Sequence, residues 1–563
     1  MSEIQVGGYI SKIVFNNGIE VDINKNDIIV FVGPNNAGKS QALKDIYSLS
    51  EEKNSTTVVS DINIVKSTEP LISVLDSIAK RTEQNGHIMY SVLGNDFSYR
   101  LTSTEASFPR WYSYKNFRNL FVANLDTSAR LNICNPPTNI RRDQAKQHPI
   151  HYAAFDGKYR KWLSDNFKKA FGIEVTPNTQ YGATIPLCIG KPIKLDDQFE
   201  DEQQRLEAYA AILENYKQVQ NQGDGIKSFT GILLYLMLNY YRTYLIDEPE
   251  SFLHPPQARI MGQIIGNTLT DNQQAFISTH SEEILKGLLE VCPKRIKIIR
   301  ITRNDDVNSF AVLSNEDIDE VWNDPLLKYS NIMSGLFHKS VVLCESDSDC
   351  KLYSIVDNYI KQVEGKYSET LFIHCGGKHR MAKIIAAMRA LNIDIRLITD
   401  IDILNDETVF KRTIEAYNIE WTQIQTHYNN IVSNLHSSKE FINRNEARTL
   451  INEVLNASSN KELYSGEIKS IREAIRTTSK WDGIKASGVT AIPAGYATTS
   501  FNAIDAILRE KGIYIVPVGE LEGFVKEVGG HGPEWVNKVL EQYPDLSSDV
   551  YTKVREFISS MKL

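Results

Sequence analysis

Ile28–Ser40 reads IIVFVGPNNAGKS: five apolar, mostly β-branched residues that run into a full match to G-x-x-x-x-G-K-[ST] at Gly33, Gly38, Lys39 and Ser40. A buried strand ending in such a loop and opening a helix lets backbone N–H groups and a helix N-terminus converge on phosphate oxygens. In that arrangement Gly33, Asn35, Asn36 and Gly38 line the cradle, Lys39 reaches the β- and γ-phosphates, and Ser40 holds Mg²⁺. The stretch therefore predicts an α/β domain around a P-loop strand, with ATP as the cofactor.

Two further strands, Tyr9–Phe15 and Ile19–Ile23, precede it, punctuated by Asn-Gly and Asn-Lys-Asn turns. Residues from about 56 to 190 are mixed in pattern. Asp196–Gln220 is acidic at its start with apolar residues at helical spacing, which predicts a helix. A Gly-Asp-Gly loop and an apolar helix from Ile226 to about Tyr241 follow, and then the apolar strand Thr243–Ile246. That strand ends in Asp247-Glu248. Asp247 suits the Mg²⁺ shell, and Glu248 the orienting or deprotonation of an attacking water. An acidic helix cap would explain a lone Asp-Glu pair, but a strand before it and PESFLHP after it favour the catalytic reading. His280, in the Ser278–Ser281 stretch after the apolar strand Ala275–Ile277, is placed to sense the γ-phosphate.

A chain of 563 residues exceeds one hydrophobic core, so several units are expected. With 62 Lys+Arg against 70 Asp+Glu the formal charge is -8, which excludes a uniformly basic nucleic-acid binder and leaves only a regional one. The six cysteines, Cys134, Cys188, Cys292, Cys344, Cys350 and Cys375, form no CxxC pair, so neither a disulfide scaffold nor a zinc module is expected. The most apolar run, Gly231–Leu238, is far shorter than the roughly 20 residues that cross a bilayer. The N-terminus has no basic start followed by an apolar block. These features predict a cytoplasmic protein without membrane contact.

Periodicity lapses between about Ser314 and His338, and a second α/β unit follows. Its predicted strands are Val341–Cys344, Leu371–His374, Ile395–Thr399 and Ile513–Val518, with helices Asp349–Val363 and Met381–Leu391 between them. A largely helical segment, about 405 to 511, interrupts the sheet. Acidic residues recur at three strand ends: Glu345 with Asp347 and Asp349, Asp400 with Asp402, and Glu520 with Glu522. Ligands of open α/β sheets gather outside the carboxyl ends of the strands, and convergent carboxylates need a cation, for which hard oxygen ligands suit Mg²⁺ or Mn²⁺. Each carboxylate alone could start a helix; three strand ends together favour a metal site for phosphodiester chemistry.

GPNNAGKS, GDGIKSF (Gly223–Phe229), YLIDEPESFLHP and ISTHS, in this order, resemble the ABC-type ATPase heads of the RecF, SMC and OLD (overcoming lysogenization defect) group. The resemblance makes GDGIKSF a signature loop, with Gly225 and Ser228 contacting a nucleotide held by another head. It departs from the usual LSGGQ-like sequence, and Gly223 and Lys227 are alternatives. A dimer or tetramer is implied. The second half resembles the TOPRIM domain of topoisomerases, primases and OLD nucleases: Glu345 stands for its first glutamate, Asp349 for the second acidic ligand, Asp400 and Asp402 for its D-x-D, and Glu520 and Glu522 for the later pair. Ser346 replaces the family glycine after the glutamate, and Glu520 stands where a serine is often found. OLD nucleases also place a downstream lysine near the scissile phosphate; Lys538, Lys526 and Lys553 are candidates.

The resemblance implies an ATPase domain over residues 1–325, with about 196–222 leading to the signature, and a TOPRIM domain over 336–563 with a helical insertion at about 405–511. Function follows in the same terms: an ATP-binding and ATP-hydrolysing, Mg²⁺- or Mn²⁺-dependent DNA endonuclease, similar to Gabija-type and retron-associated phage-defence nucleases. A retron reverse transcriptase with its msDNA, or another defence-system protein, is a partner the resemblance allows. The alternative is a RecF- or SMC-like ATP-driven DNA clamp with a non-catalytic TOPRIM module. Between Arg110 and Ala170 twelve Lys/Arg face four Asp, so RWYSYKNFR (Arg110–Arg118) could track a nucleic-acid backbone or be a solvated face. Gly376–Arg380 could likewise bind DNA phosphate or simply turn the chain.

Overall fold

A computed structural model of the chain describes residues 8–50, 56–66, 76, 80–84, 87–93, 95–100, 121–190, 193, 201–305, 307–313, 318, 322–324, 331–435, 443–458, 462–474 and 480–563. Contacts divide the chain into two compact units, Met1–Lys328 and Tyr329–Leu563.

The first unit is built on a six-stranded sheet in the order Val307–Val312, Ile296–Asn304, Ile28–Val32, Gln274–Ser278, Thr243–Asp247, Val122–Leu125. All neighbours are parallel except the edge strand Val307–Val312. Ile28–Val32 is buried at every position, as a central parallel strand with both faces covered must be. The helix Lys39–Leu49 starts at Gly38, whose φ of 102° only glycine adopts freely. At Gly33 a Cβ would stand 1.9 Å from the carbonyl oxygen of Ile301, so the loop passes its neighbouring strand only because that residue has no side chain.

The acidic helix is shorter than its sequence pattern predicts. It runs Glu202–Glu214 behind an Asp201 cap, and Lys217–Gln218 pairs instead with Leu187–Gly190; Asp196–Glu200 lies outside the described residues. The next helix, Asp224–Leu236, takes in all of GDGIKSF except its cap Gly223, so the expected loop is a helix start. It ends before Asn239, which has a left-handed φ of 49°.

The second unit is a four-stranded, wholly parallel sheet in the order Thr370–His374, Ser340–Cys344, Ile395–Thr399, Ile513–Ile515. Its last strand stops at Ile515, short of the expected Val518: Pro517 offers no N–H to a ladder, and Gly519 turns the chain at φ 103°. Helices from Glu407–Ala416 to Tyr496–Glu510 lie in sequence between the third and fourth strands. The core beneath the sheet closes around Tyr353, Phe524, Trp535, Tyr551 and Phe557.

Candidate functional site

In the first unit, strand register brings the motifs together: Asp247 pairs opposite Ser278, and Ser278 opposite Phe31, two residues before Gly33. Lys39 is 4% exposed, and its ammonium donates to the carbonyls of Gly33 (2.8 Å) and Pro34 (2.7 Å). Burial lowers its pKa to about 8 against the pull of Glu248, Glu250 and Asp247. The hydroxyl of Ser278 donates to the Asp247 carboxylate. Glu248 sits at φ 46°, a left-handed backbone, and its carboxylate is held on both sides: His280 Nε2 lies 3.2 Å from Oε1, and the Ser251 hydroxyl donates to Oε2 at 3.2 Å. Burial and Lys39 lower the His280 pKa, opposed by Glu248. The N–H of His280 donates to Glu250 at 2.6 Å.

One residue here was not singled out by the sequence. Arg130, fully buried, donates from its guanidinium to the main-chain carbonyls of Asp247 and of Glu248, the latter at 3.2 Å. It lies in the basic stretch, where nothing distinguishes it from surface cations. Gly225 and Ser228 are packed within this chain. A Cβ on Gly225 would stand 2.5 Å from the Phe252 carbonyl, and Ser228 is buried with its hydroxyl lacking a hydrogen-bond partner. Asn35 and Asn36 are exposed at the loop tip. RWYSYKNFR lies outside the described residues.

In the second unit, Glu345 and Asp400 directly follow adjacent parallel strands, and a 3₁₀ turn, Ile401–Asn405, carries Asp402. Each of Glu345, Asp400 and Asp402 offers an oxygen within 4.8 Å of the others. Glu345 is oriented by the Thr399 hydroxyl (2.8 Å) and the Asp400 N–H (3.0 Å), both donating to Oε1. Burial raises the Glu345 pKa, and burial, followed by Glu345 and Asp349, raises that of Asp400 well above its ordinary value. Asp402 Oδ1 is buried and accepts no hydrogen bond.

The later acidic pair forms a second group: Glu520, Glu522 and His531 also lie within 4.8 Å of one another. Asp349 stands beside these groups in the first turn of its helix, as the capping-box partner of the N-cap Ser346: its Oδ2 accepts the Ser346 N–H at 2.8 Å, and burial raises its pKa to about 6. The lysines paired with the carboxylates are Lys378, 3.7 Å from Asp402, and Lys485, 3.5 Å from Asp402 and from Glu520. Lys538 and Lys553 are exposed on later helices, and Lys526 donates to the Ala486 carbonyl at 3.3 Å. Sequence reasoning passed over Lys485, which stands 83 residues from Asp402 in an unremarkable helical pattern.

Comparison with known proteins finds a family match in each unit. Residues 28–286 match the AAA_21 family model, described as an AAA domain, and residues 336–402 match the model of the overcoming lysogenization defect protein-like TOPRIM domain. The Old nuclease of Escherichia phage P2 is 22% identical over 266 residues. The chain thus joins an AAA_21 ATPase domain to an OLD-like TOPRIM domain. That alignment covers 42% of this chain and spans less than half, 44%, of the phage protein. Solved structures that resemble this chain include an SMC head bound to the C-terminal winged-helix domain of ScpA (14% identity, TM-score 0.32, 55% of this chain and 99% of that one). The SMC head domain from Thermotoga maritima is another (12%, TM-score 0.29, 55% and 98%). At such scores they carry no argument; the P-loop ATPase and TOPRIM assignments rest on the family models and the strand order.

Proposed function

We propose that the chain is an ATP-hydrolysing, divalent-metal-dependent DNA endonuclease, and that it works as a homo-oligomer. The observation that carries this reading is the meeting of Glu345, Asp400 and Asp402 at the carboxyl end of one parallel sheet. The donors fit a hard cation: all are carboxylate oxygens, one buried oxygen of Asp402 has no hydrogen-bond donor, and Asp400 ionises only at a cost unless positive charge is near. Glu345, Asp400 and Asp402 would hold Mg²⁺ or Mn²⁺, with Glu520, Glu522 and Asp349 as the outer acidic residues. Such an ion, when bound, polarises a phosphodiester and makes water a better nucleophile. The protein's own part is to fix Glu345 through Thr399 and the Asp400 N–H, and to bring Lys378 and Lys485 close enough to attract a phosphate.

In the ATPase unit, Lys39 and the loop amides bind phosphate, while Ser40 and Asp247 hold the nucleotide's Mg²⁺. His280 and Ser251 aim Glu248 at the attacking water. Oligomerisation is supported by Phe252. It is 58% exposed at φ 69°, on the loop that follows Glu248 and touches Gly225, where a second copy would bury it. An anti-phage role, with a retron component or another defence protein as partner, extends the resemblance to defence nucleases.

The test is plasmid nicking with Mg²⁺ or Mn²⁺, with and without ATP, on wild type and Asp400→Ala. Nicking by wild type that falls by orders of magnitude in Asp400→Ala supports the reading. Wild type that binds DNA but never nicks it leaves an ATP-driven clamp in its place.

A further inference from the structure

Lys485 reaches the carboxylates from the segment between the third and fourth strands, on the helix Lys480–Ser487. Its ammonium lies 3.5 Å from Asp402 Oδ2, 3.5 Å from Glu520 Oε2 and 3.9 Å from Asp400 Oδ2, so it bridges the two acidic groups. None of these contacts is short. Elsewhere in the chain a lysine paired with one carboxylate approaches to 2.8 Å, as Lys161 does to Asp165. Lys485 is therefore held by the summed field of several carboxylates, with one long hydrogen bond, to Asp402 at 3.5 Å, among them.

Its place is fixed by backbone contacts. The Lys485 carbonyl oxygen lies 1.9 Å from where a Cβ on Gly519 would stand, and that of Ile484 lies 3.0 Å away. Gly519 adopts φ 103°, and its own carbonyl accepts the Ile401 N–H at 3.0 Å. The Val489 N–H donates to the Pro517 carbonyl at 3.0 Å, and a Cβ on Gly488 would meet that same oxygen at 2.2 Å. One glycine thus joins the lysine's helix, the loop that carries Glu520, and the turn that carries Asp400 and Asp402. The helix cannot shift without disturbing the acidic residues it faces.

Carboxylates this close repel one another unless a cation offsets them. An ammonium serves from about 3.5 Å; a divalent ion serves from about 2.1–2.5 Å with twice the charge. Both cannot act fully on the same oxygens. We infer that Lys485 and a divalent cation are alternative counter-ions of Asp400, Asp402 and Glu520, so that the inserted helix supplies a built-in competitor for metal binding. This rests on the metal-site reading above. On metal entry the ammonium loses its hold on these oxygens and becomes available to an anionic group such as a phosphate.

The experiment is Mn²⁺ titration of the full-length chain, read by calorimetry and by electron paramagnetic resonance of free Mn²⁺, for wild type, Lys485→Met, Lys485→Gln, Lys485→Arg and Asp400→Ala. Lys485→Met and Lys485→Gln are expected to bind Mn²⁺ at least tenfold more tightly than wild type, and Lys485→Arg close to wild type. Removing the lysine should also lower the melting temperature without Mn²⁺, with Mn²⁺ restoring it. Equal or weaker Mn²⁺ binding by both neutral variants overturns the inference, and use of two variants guards against one that folds poorly. If Asp400→Ala binds Mn²⁺ as wild type does, the metal-site reading fails and takes the inference with it. If Asp400→Ala loses Mn²⁺ while the lysine variants do not gain, the inference alone fails.

Discussion

The two units use the same scaffold rule with opposite electrostatic sign. Each gathers its chemistry at the carboxyl ends of parallel strands. In the first, those ends present a buried ammonium, Lys39, and a helix N-terminus, a site that wants an anion. In the second, they present three carboxylates, a site that wants a cation. The difference comes from loop composition: glycines at 33 and 38 let amide groups turn inward, whereas Glu345, Asp400 and Asp402 put acidic side chains in the equivalent place. A parallel sheet supplies an edge on which chemistry can be written; it does not dictate which.

The largest effects should separate the two sites. Lys39→Ala is expected to cut nucleotide binding and ATP turnover by orders of magnitude while leaving Mn²⁺ binding to the second unit within about twofold. Isothermal titration of nucleotide and of Mn²⁺ on one preparation checks both. Loss of Mn²⁺ binding in Lys39→Ala would break the comparison by showing one coupled site.

Next in size is Glu248→Gln. It keeps the carbonyl oxygen that His280 and Ser251 could still contact but removes the base, so kcat for ATP should fall about 100-fold with little change in KM. An unchanged kcat would move the base elsewhere.

Gly33→Ala sharpens the contrast at the level of backbone. Its Cβ would meet the Ile301 carbonyl at 1.9 Å, so thermal unfolding should reveal a loss of roughly 2–4 kcal/mol, with nucleotide protection gone. A fully stable, nucleotide-binding Gly33→Ala would mean the loop has more room than this packing allows.

The fold classes were legible because a P-loop and a D-x-D stand beside apolar strands, where short-range pattern and chemistry coincide. Much of what aims the side chains was not. Arg130 is fully buried, yet in sequence it is one cation in a basic stretch; only the fold shows that it holds the carbonyls of Asp247 and Glu248. Lys485 reaches its partners only once the chain has closed a long helical excursion. Asp349 and Glu345 look alike as acidic residues after a strand, but a Ser346 three residues before it makes Asp349 the partner of a capping box. Gly-Asp-Gly at 223–225 reads as a loop because of its glycines, and the resemblance extends that loop through GDGIKSF, yet Gly223 alone is outside the helix.

The smallest effect concerns pH. Burial, aided by His151, pushes the His148 pKa down to about 4, and its Nδ1 accepts the Ile150 N–H at 3.2 Å as the cap of the helix Pro149–Phe155. The folded state thus binds this proton less readily than the unfolded chain, whose histidine titrates near 6.5. Stability from this group is present above about 6.5 and is lost as pH falls toward 4. Because the ring is only half-buried, the loss should be on the order of 1–2 kcal/mol, and His148→Asn, which keeps a capping acceptor, should flatten it in urea melts between pH 7 and 4.5. An unaltered pH slope in that variant would assign the acid sensitivity to other groups.

Parallel strands also give each unit a quiet rim. The strand starts lie away from both sets of reacting groups, and exposed residues such as Asp271, ahead of Gln274–Ser278, and Lys339, ahead of Ser340–Cys344, lead into them. Five of the six native cysteines are buried and Cys292 is half-buried. A cysteine introduced at Asp271 and another at Lys339 would therefore accept fluorophores ahead of the native thiols, giving a donor–acceptor pair that follows the distance between the ATPase and TOPRIM units through nucleotide and metal binding while both chemistries stay intact.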